Sequence, residues 1–143
     1  MKPPADILDL VHTIMHLSRS RQYRDLREGA HDLTHMEIKV MGFFARRPGA
    51  TQRDLVSHSG KDKAQLARLI QGLRQRALLD AQPDEQDKRV TRLQLSESGK
   101  SLFGEVEAQG QRIARLAIRG LSHEEQQTLL HLLQRMQDNL TSE

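Results

Sequence analysis

The sequence predicts a mainly α-helical fold with one small β-hairpin, and three observations support this prediction. Apolar residues recur at helical spacing along most of the chain. Residues that commonly cap helices precede several of these stretches, namely Thr34, Thr51, Asp62, Ser96 and Ser122. Between residues 78 and 95 the helical period gives way to the alternation typical of strands.

Length and composition limit the class of protein. The chain has 143 residues, enough for a real core, and we expect a single domain over residues 1–143. It contains no cysteine, which excludes disulfides, thiolate metal sites and cysteine redox sensing. Neither a membrane-spanning run nor a signal-peptide pattern occurs, so we expect a cytoplasmic protein without membrane contact.

Positive charge is concentrated in the middle of the chain. Residues 46–76 include 8 basic and 2 acidic residues, whereas residues 1–45 include 6 of each and residues 77–143 include 8 and 11. Such a segment creates a local positive potential that attracts a polyanion, although a solvated basic face explains the charge equally well.

Four helices are predicted before residue 78, and their ends are marked by capping residues, glycine or proline. Their expected spans are 5–28, 34–47, 51–60 and 62–77. Gly29 and the pair Pro48-Gly49 stop the first two helices. A tight turn at Ser59–Lys61 joins the last two.

Two short strands should follow these helices. Leu78–Ala81 and Val90–Leu95 read as strands joined by the polar loop Gln82–Arg89, and Leu93 and Leu95 should face the core.

The predicted helices at the two ends of the chain, about 5–28 and 96–140, carry surplus apolar surface. Ser96 caps a long helix that Gly120 breaks, and a capping box at Ser122 and Glu125 opens the last helix. Apolar residues lie on and beside the main stripe of each terminal helix, as Met15 and Leu130 do. A monomer would leave this surface in water, so we expect the terminal helices to form a homodimer.

Residues 34–95 thus follow the order of a winged helix-turn-helix, in which the helix after the turn lies in the major groove of DNA. The recognition helix is expected near Asp62–Gln75, and the wing near Pro83–Arg89. One side of this helix should be buried, with Leu66, Leu69, Ile70, Leu73 and Ala77. The other side should face outward, with Lys61, Gln65, Arg68, Gly72 and Gln75.

The outward side of the recognition helix has chemistry suited to DNA. Gln65 and Arg68 are candidates for reading bases, because Gln matches adenine and Arg matches guanine in the major groove. Lys61, Lys63 and Arg74 are candidates for phosphate contacts. Such residues also suit an ordinary solvated helix face, and the adjoining hairpin favours the DNA-binding interpretation.

The hairpin loop supplies a second set of charged residues. Lys88 or Arg89 can reach a minor groove beside the recognition helix. Asp87 and Arg89 can also pair with each other and stiffen the loop, and both roles are compatible.

Five segments resemble, in order and spacing, the MarR (multiple-antibiotic-resistance regulator) family: Leu33–Glu37, Gly49–Leu55, Asp62–Ile70, Asp84–Arg89 and Leu95–Gly99. The resemblance implies a dimeric winged-helix regulator, usually a repressor, that binds a pseudo-palindromic operator. It also implies that a small aromatic or phenolic effector often releases the DNA by binding between the DNA-binding and dimerisation parts.

The resemblance assigns roles to particular residues. Asp87 and Arg89 match the family's Asp-x-Arg wing signature. Thr51 and Gln52 match the start of a helix whose N-terminus can hold a phosphate. Ala77 stands where such sequences often have glycine. The candidate DNA-contacting residues are Thr51, Gln52, Lys61, Lys63, Ala64, Gln65, Arg68, Arg74, Lys88 and Arg89.

Other function classes have weaker support. A metal-sensing regulator would need the pairs His12 and His16 or His31 and His35, which lack a visible third ligand. No phosphate-binding loop or nucleophile elbow is present, so we expect neither enzymatic activity nor a cofactor. A winged-helix interaction module without DNA binding would need a neutral or acidic recognition helix.

Overall fold

Six helices and two strands make up the part of the chain that the computed structural model describes. The described residues are 3–28 and 33–142, with side chains described for 5–24 and 33–142. The elements are α1 (Pro3–Glu28), α2 (His35–Arg46), α3 (Gln52–Ser59), α4 (Lys63–Gln75), β1 (Leu79–Pro83), β2 (Thr91–Leu95), α5 (Glu97–Ala117) and α6 (His123–Thr141). The predicted end of the first helix at Gly29 lies outside the described residues.

Three helices begin at the capping boxes that the sequence predicts. In each box the hydroxyl of the first residue accepts from the backbone N–H three residues later, and the acidic side chain at that later position accepts in return. The boxes pair Thr34 with Glu37, Thr51 with Asp54, and Ser122 with Glu125. These predictions are confirmed. The sequence could predict the capping boxes because the two residues of each box are only three positions apart.

The turn between α3 and α4 lies at Gly60. This residue has φ +68°, and its N–H donates to the carbonyl oxygen of Val56 at 3.0 Å. The left-handed conformation favours glycine, which has no Cβ to clash with the carbonyl. Asp62 then caps α4 by accepting from the N–H of Ala64 at 3.4 Å. The predicted turn is confirmed.

The hairpin has different bounds from those predicted. β1 runs to Pro83, and Gln82 and Pro83 pair with Arg92 and Thr91, so the prediction that these two residues belong to the loop is wrong. Proline is tolerated at the end of an edge strand, where its missing N–H removes no ladder bond. Val90 belongs to the loop, because its N–H donates to the carbonyl oxygen of Asp87 at 3.0 Å. We therefore define the wing loop as residues 84–90.

The core lies between α2, α4, the hairpin and the start of α5. Phe43 and Phe44 pack edge to face, with ring centroids 5.1 Å apart. The buried apolar residues are Leu33, Val40, Met41, Phe43, Phe44, Leu55, Leu66, Ile70, Leu73, Leu78, Leu79, Leu93, Leu95, Leu102 and Val106. Burial of Leu93 and Leu95 is as predicted.

Ala77 differs from its predicted place on the buried side of α4. The helix ends at Gln75, and Ala77 is exposed with φ +60°. This left-handed residue turns the chain from α4 into β1, and its carbonyl oxygen accepts from the hydroxyl of Ser96 at 2.6 Å. The turn thus imposes on alanine a conformation that costs about 1–2 kcal/mol.

Backbone hydrogen bonds attach the hairpin to the turn between α2 and α3. The N–H of Leu93 donates to the carbonyl oxygen of Ala50 at 2.9 Å, and the N–H of Gly49 donates to that of Leu93 at 2.8 Å. Residue 50 therefore forms an isolated antiparallel bridge with β2.

The chain divides into two compact units, Met1–Gly110 and Gln111–Glu143, and each is described by itself. The first unit includes α1 and the elements of the helix-turn-helix and hairpin. The second includes the end of α5 and all of α6. A single domain over residues 1–143 stays a prediction. No described helix is long and apolar enough to span a bilayer.

Candidate nucleic-acid interface

The recognition helix α4 has one buried and one exposed side. Leu66, Ile70 and Leu73 enter the core, and the predicted contacts Lys63, Ala64, Gln65, Arg68 and Arg74 are exposed. Gly72, predicted to face outward, is instead half-buried. The α4 surface is therefore cationic and amide-bearing, with no acidic residue from Lys63 to Gln75.

Gln65 and Arg68 lie three residues apart, on neighbouring turns of one helix face. Within the part of the chain that the structure describes, neither side chain has a hydrogen bond or an ion pair. Both side chains therefore keep their full hydrogen-bonding capacity. Gln71, three residues beyond Arg68, is also exposed and was not predicted as a contact. Its amide thus adds a further hydrogen-bonding group to the exposed side of α4.

Lys61 does not join this exposed face. It lies before the cap of α4, and its Nζ is 3.5 Å from the Sδ of Met36 in α2. The ammonium group is thus directed toward α2. Its predicted contact with phosphate would require the side chain to turn away from Met36.

Gln52 and Arg74 lie together at a groove beside α4. They line an open cavity of about 480 Å³ with Ala67, Ile70, Gln71 and Gln75. Thr51 begins the same helix as Gln52, but its hydroxyl already accepts from the N–H of Asp54 at 3.2 Å. Gln52 at the start of α3 and Arg74 in α4 therefore lie on one surface, while the Thr51 hydroxyl caps the helix.

Asp87 and Arg89 form the predicted pair in the wing loop. The Nε of Arg89 is 3.0 Å from Oδ1 of Asp87, and its Nη2 is 3.2 Å from Oδ2. The hydrogen bonds from Arg89 hold the pKa of Asp87 below its ordinary value. The Arg89 side chain is 91% exposed, so the pair orients the side chain without removing its guanidinium from solvent. Lys88 is also exposed.

Asp84 organises the other end of the wing loop. Its Oδ2 accepts from the N–H groups of Gln86 and Asp87 at 3.1 and 2.9 Å, and its Oδ1 accepts from Nε of Arg92 at 2.6 Å. The bond from Arg92, followed by that from Asp87, lowers the pKa of the Asp84 carboxyl. Neither Asp84 nor Arg92 is among the contacts predicted from the sequence.

A cavity of about 280 Å³ lies between α1 and α2, away from the α4 surface. It is lined by His16, Arg19, Ser20, Gln22, Tyr23, Leu33, His35 and Ile38. Both ring nitrogens of His35 are buried without a hydrogen-bond partner among the described residues. Burial lowers the pKa of His35, and the positive charges of Arg19, Lys39 and Lys61 lower it further. The cavity thus combines apolar side chains with His35 ring nitrogens that have no hydrogen-bond partner among the described residues.

A metal site was the alternative function considered for two histidine pairs, His12 with His16 and His31 with His35. Within the described part of the chain, no three His, Asp or Glu side chains are placed to hold a metal ion. His12 and His16 are exposed on α1. His31 lies outside the described residues, so the alternative that it pairs with His35 is not tested.

Comparison with known sequences matches this chain to the family model described as the MarR family over residues 31–90. It is 28% identical over 119 residues to the uncharacterized HTH-type transcriptional regulator YybA of Bacillus subtilis, covering 83% of this chain and 76% of that protein. It is 24% identical over 138 residues to the HTH-type transcriptional repressor NicR of Pseudomonas putida, covering 95% and 87%.

Solved structures have the same fold. The transcriptional regulator SlyA has a TM-score of 0.78 and 25% identity, with 96% of this chain and 95% of that chain covered. Streptococcus pneumoniae FabT in complex with DNA has a TM-score of 0.86 and 18% identity, with coverage of 96% and 97%.

Proposed function

We propose that this chain is a transcriptional regulator of the MarR family, which binds duplex DNA as a homodimer and acts in the cytoplasm. One observation carries this proposal. The exposed face of α4 presents Gln65 and Arg68, which have no hydrogen-bond or ion-pair partner among the described residues, beside a wing with exposed Lys88 and Arg89. A helix of this diameter fits the major groove, and the wing then lies near the adjoining minor groove.

Gln65 and Arg68 read base edges in this proposal. Lys63 and Arg74 contact phosphates from the two ends of α4, and Gln52 does so from the start of α3. Phosphate contacts determine how the protein is placed on the duplex, whereas the two base readers select its sequence.

The dimer places two copies of α4 in successive major grooves. Exposed apolar residues in α1 and α6, such as Leu10 and Leu130 at 61% each, provide surface for pairing with a second copy. Two-fold symmetry with a spacing of about 34 Å would match a pseudo-palindromic operator.

Repression is the regulatory outcome that we propose, and the relative NicR is named a repressor. A small aromatic or phenolic effector would bind in the cavity between α1 and α2, with Leu33 and Ile38 against its ring and His35 against a polar group. If the effector prefers a dimer with a different spacing of recognition helices, it must lower operator affinity by linkage. Titration with phenolic carboxylates and His35→Gln would test that site.

The principal experiment selects bound duplexes from a random DNA pool and measures variants on selected and unselected duplexes. Arg68→Ala should lose about 1–3 kcal/mol of binding free energy on the selected duplex and much less on the unselected one. Lys63→Ala is the control, because loss of a phosphate contact should weaken both equally. Equal losses for Arg68→Ala would contradict its role as a base reader, and absence of any enriched sequence would contradict sequence-specific binding.

A further inference from the structure

Arg92 links the wing to the helix-turn-helix through two different acceptors. Its Nη1 donates to the carbonyl oxygen of Gly49 at 2.9 Å, in the turn between α2 and α3. Its Nε donates to Oδ1 of Asp84 at 2.6 Å, at the first residue of the wing loop. One planar guanidinium group therefore spans the junction between the two parts of the DNA-binding region.

The contacts continue from Asp84 to the tip of the wing. The second carboxylate oxygen of Asp84 accepts from the N–H groups of Gln86 and Asp87. Asp87 in turn holds Arg89 by two side-chain hydrogen bonds. A continuous series of hydrogen bonds thus connects Arg92 with the exposed Arg89.

We propose that Arg92 is a positioning residue for DNA binding, which acts through Asp84 to fix the wing loop relative to α4. Arg92 would set where Arg89 meets the duplex, without needing to contact DNA itself. This inference rests on the proposed DNA-binding function. Without Arg92 the loop would have to be ordered during binding, and that ordering would lower the affinity.

Folding stability should depend little on this link. The Arg92 side chain is 50% exposed, and ion pairs near the surface contribute little because solvent screens them. The backbone bonds between residues 49–50 and Leu93 also hold the base of the hairpin without the Arg92 side chain. Loss of Arg92 should therefore loosen the loop while the hairpin stays folded.

A direct phosphate contact by Arg92 is the main rival explanation, and Arg92→Lys separates the two. Lysine keeps the positive charge, but it lacks the planar group that donates to Asp84 and Gly49 together. Our proposal expects Arg92→Lys to behave like Arg92→Ala. Wild-type affinity for Arg92→Lys would overturn it.

The first experiment needs no DNA. Amide hydrogen exchange is measured for Asp84, Asp87 and Val90 in the wild type, Arg92→Ala and Arg92→Lys. Both variants should exchange at least about fivefold faster at these amides, because the loop opens more often, while the melting temperature stays near that of the wild type. Lys100→Ala is the control, since it removes a cation that pairs with Glu97 outside the wing. Unchanged exchange in both Arg92 variants would overturn the proposal.

The second experiment is a double-mutant cycle on a duplex selected by the wild-type protein. Arg89→Ala and Arg92→Ala should each weaken binding by about five- to tenfold, a loss of roughly 1 kcal/mol. If Arg92 acts through Arg89, the double variant should bind no more than about twofold worse than the weaker single variant. Multiplicative losses would overturn the proposal and leave the DNA-binding function standing. A wild-type protein that selects no duplex would overturn both.

The substitution Asp84→Ala tests whether DNA affinity rises or falls when the link is lost. The substitution removes a negative charge near the DNA-facing surface, so electrostatics alone would increase affinity. Loss of the link predicts a fall in affinity of about fivefold. Tighter binding by Asp84→Ala would overturn the proposal.

Discussion

Two regions of the molecule differ in how far their apolar side chains are buried. The first region is the helix-turn-helix with its hairpin, and the second is the terminal helices. In the first region large apolar side chains are buried, as with Phe44 and Met41 at 0% exposure. In α1 and α6 they are left in water, as with Leu10 at 61% and Leu140 at 74%. Both regions are amphipathic in sequence. In the first region, however, the apolar side chains are buried against other side chains of the same chain.

This difference indicates that folding of the core and association of chains depend on separate sets of residues. Complete burial of one leucine contributes about 1.5–3 kcal/mol, so several exposed leucines provide enough free energy for a stable dimer. A substitution in the core should lower the melting temperature, whereas one at the exposed face of a terminal helix should shift the oligomeric state.

Gly99→Ala should have the largest effect on the core. A Cβ at residue 99 would overlap the backbone carbonyl oxygen of Leu78, and backbone cannot move aside as a flexible side chain can. We expect a loss of about 3 kcal/mol or more in the free energy of unfolding, measured by urea denaturation. Gly104→Ala is the matched control in the same helix. Its Cβ would meet nothing within 4 Å, so it should gain up to about 1 kcal/mol. A neutral Gly99→Ala would contradict the tight packing of α5 on Leu78.

Leu130→Glu should test the terminal helices. Leu130 is 61% exposed in one chain, and a carboxylate buried at a dimer interface would lack a partner. We expect the dimer dissociation constant to rise by about a hundredfold, or roughly 2.7 kcal/mol, measured by sedimentation equilibrium. Gln127→Glu introduces the same charge one turn earlier at another exposed position and should change dimerisation less. Equal effects would indicate that general charge, rather than the leucine face, controls association.

Ala77→Gly should stabilise the core moderately. Glycine relieves the left-handed strain of about 1–2 kcal/mol, and its greater unfolded-chain entropy offsets about 0.4–1 kcal/mol. A net gain of about 0.5–1 kcal/mol in unfolding free energy should appear in thermal or urea melts. Ala108→Gly, at an exposed helical position, should instead lose about 1 kcal/mol. Destabilisation by both substitutions would show that the strain at residue 77 is relieved in solution.

The smallest effect expected is a pH dependence from His35. Because its pKa is lowered in the folded chain, the unfolded chain binds the proton more tightly. Stability contributed by neutral His35 should be present above about pH 6.5 and be lost as pH falls through the lower folded pKa. The difference in melting temperature between pH 7.5 and 5.5 should shrink in His35→Gln and stay unchanged in the control His131→Gln. An unchanged difference in His35→Gln would contradict this linkage.

Local signals made much of the fold predictable. The capping boxes and the turn at Gly60 involve residues within three or four positions of each other, so the sequence displays them directly. The end of β1 at Pro83 and the left-handed Ala77 depend on pairing with β2 and on Ser96, which lie further along the chain. The spacing of apolar residues along the sequence does not reveal such long-range contacts.

In the candidate site, too, some features could be predicted from the sequence and others could not. The exposure of Gln65 and Arg68 follows from the helical period of α4, and the structure has it as predicted. Two other contacts were not predicted. Lys61 contacts Met36, which is 25 positions away in the sequence, and Arg92 donates to Gly49, which is 43 positions away. Such contacts arise only when separate elements pack together.

We propose that two copies of α4, held by paired terminal helices, bind one duplex. Sedimentation velocity with a selected duplex at several salt concentrations measures how many chains bind and how strongly. We expect two chains on each duplex, with log affinity falling linearly with log salt at a slope near −0.9 for each phosphate neutralised. A single chain on each duplex, or an affinity unaffected by salt, would contradict it.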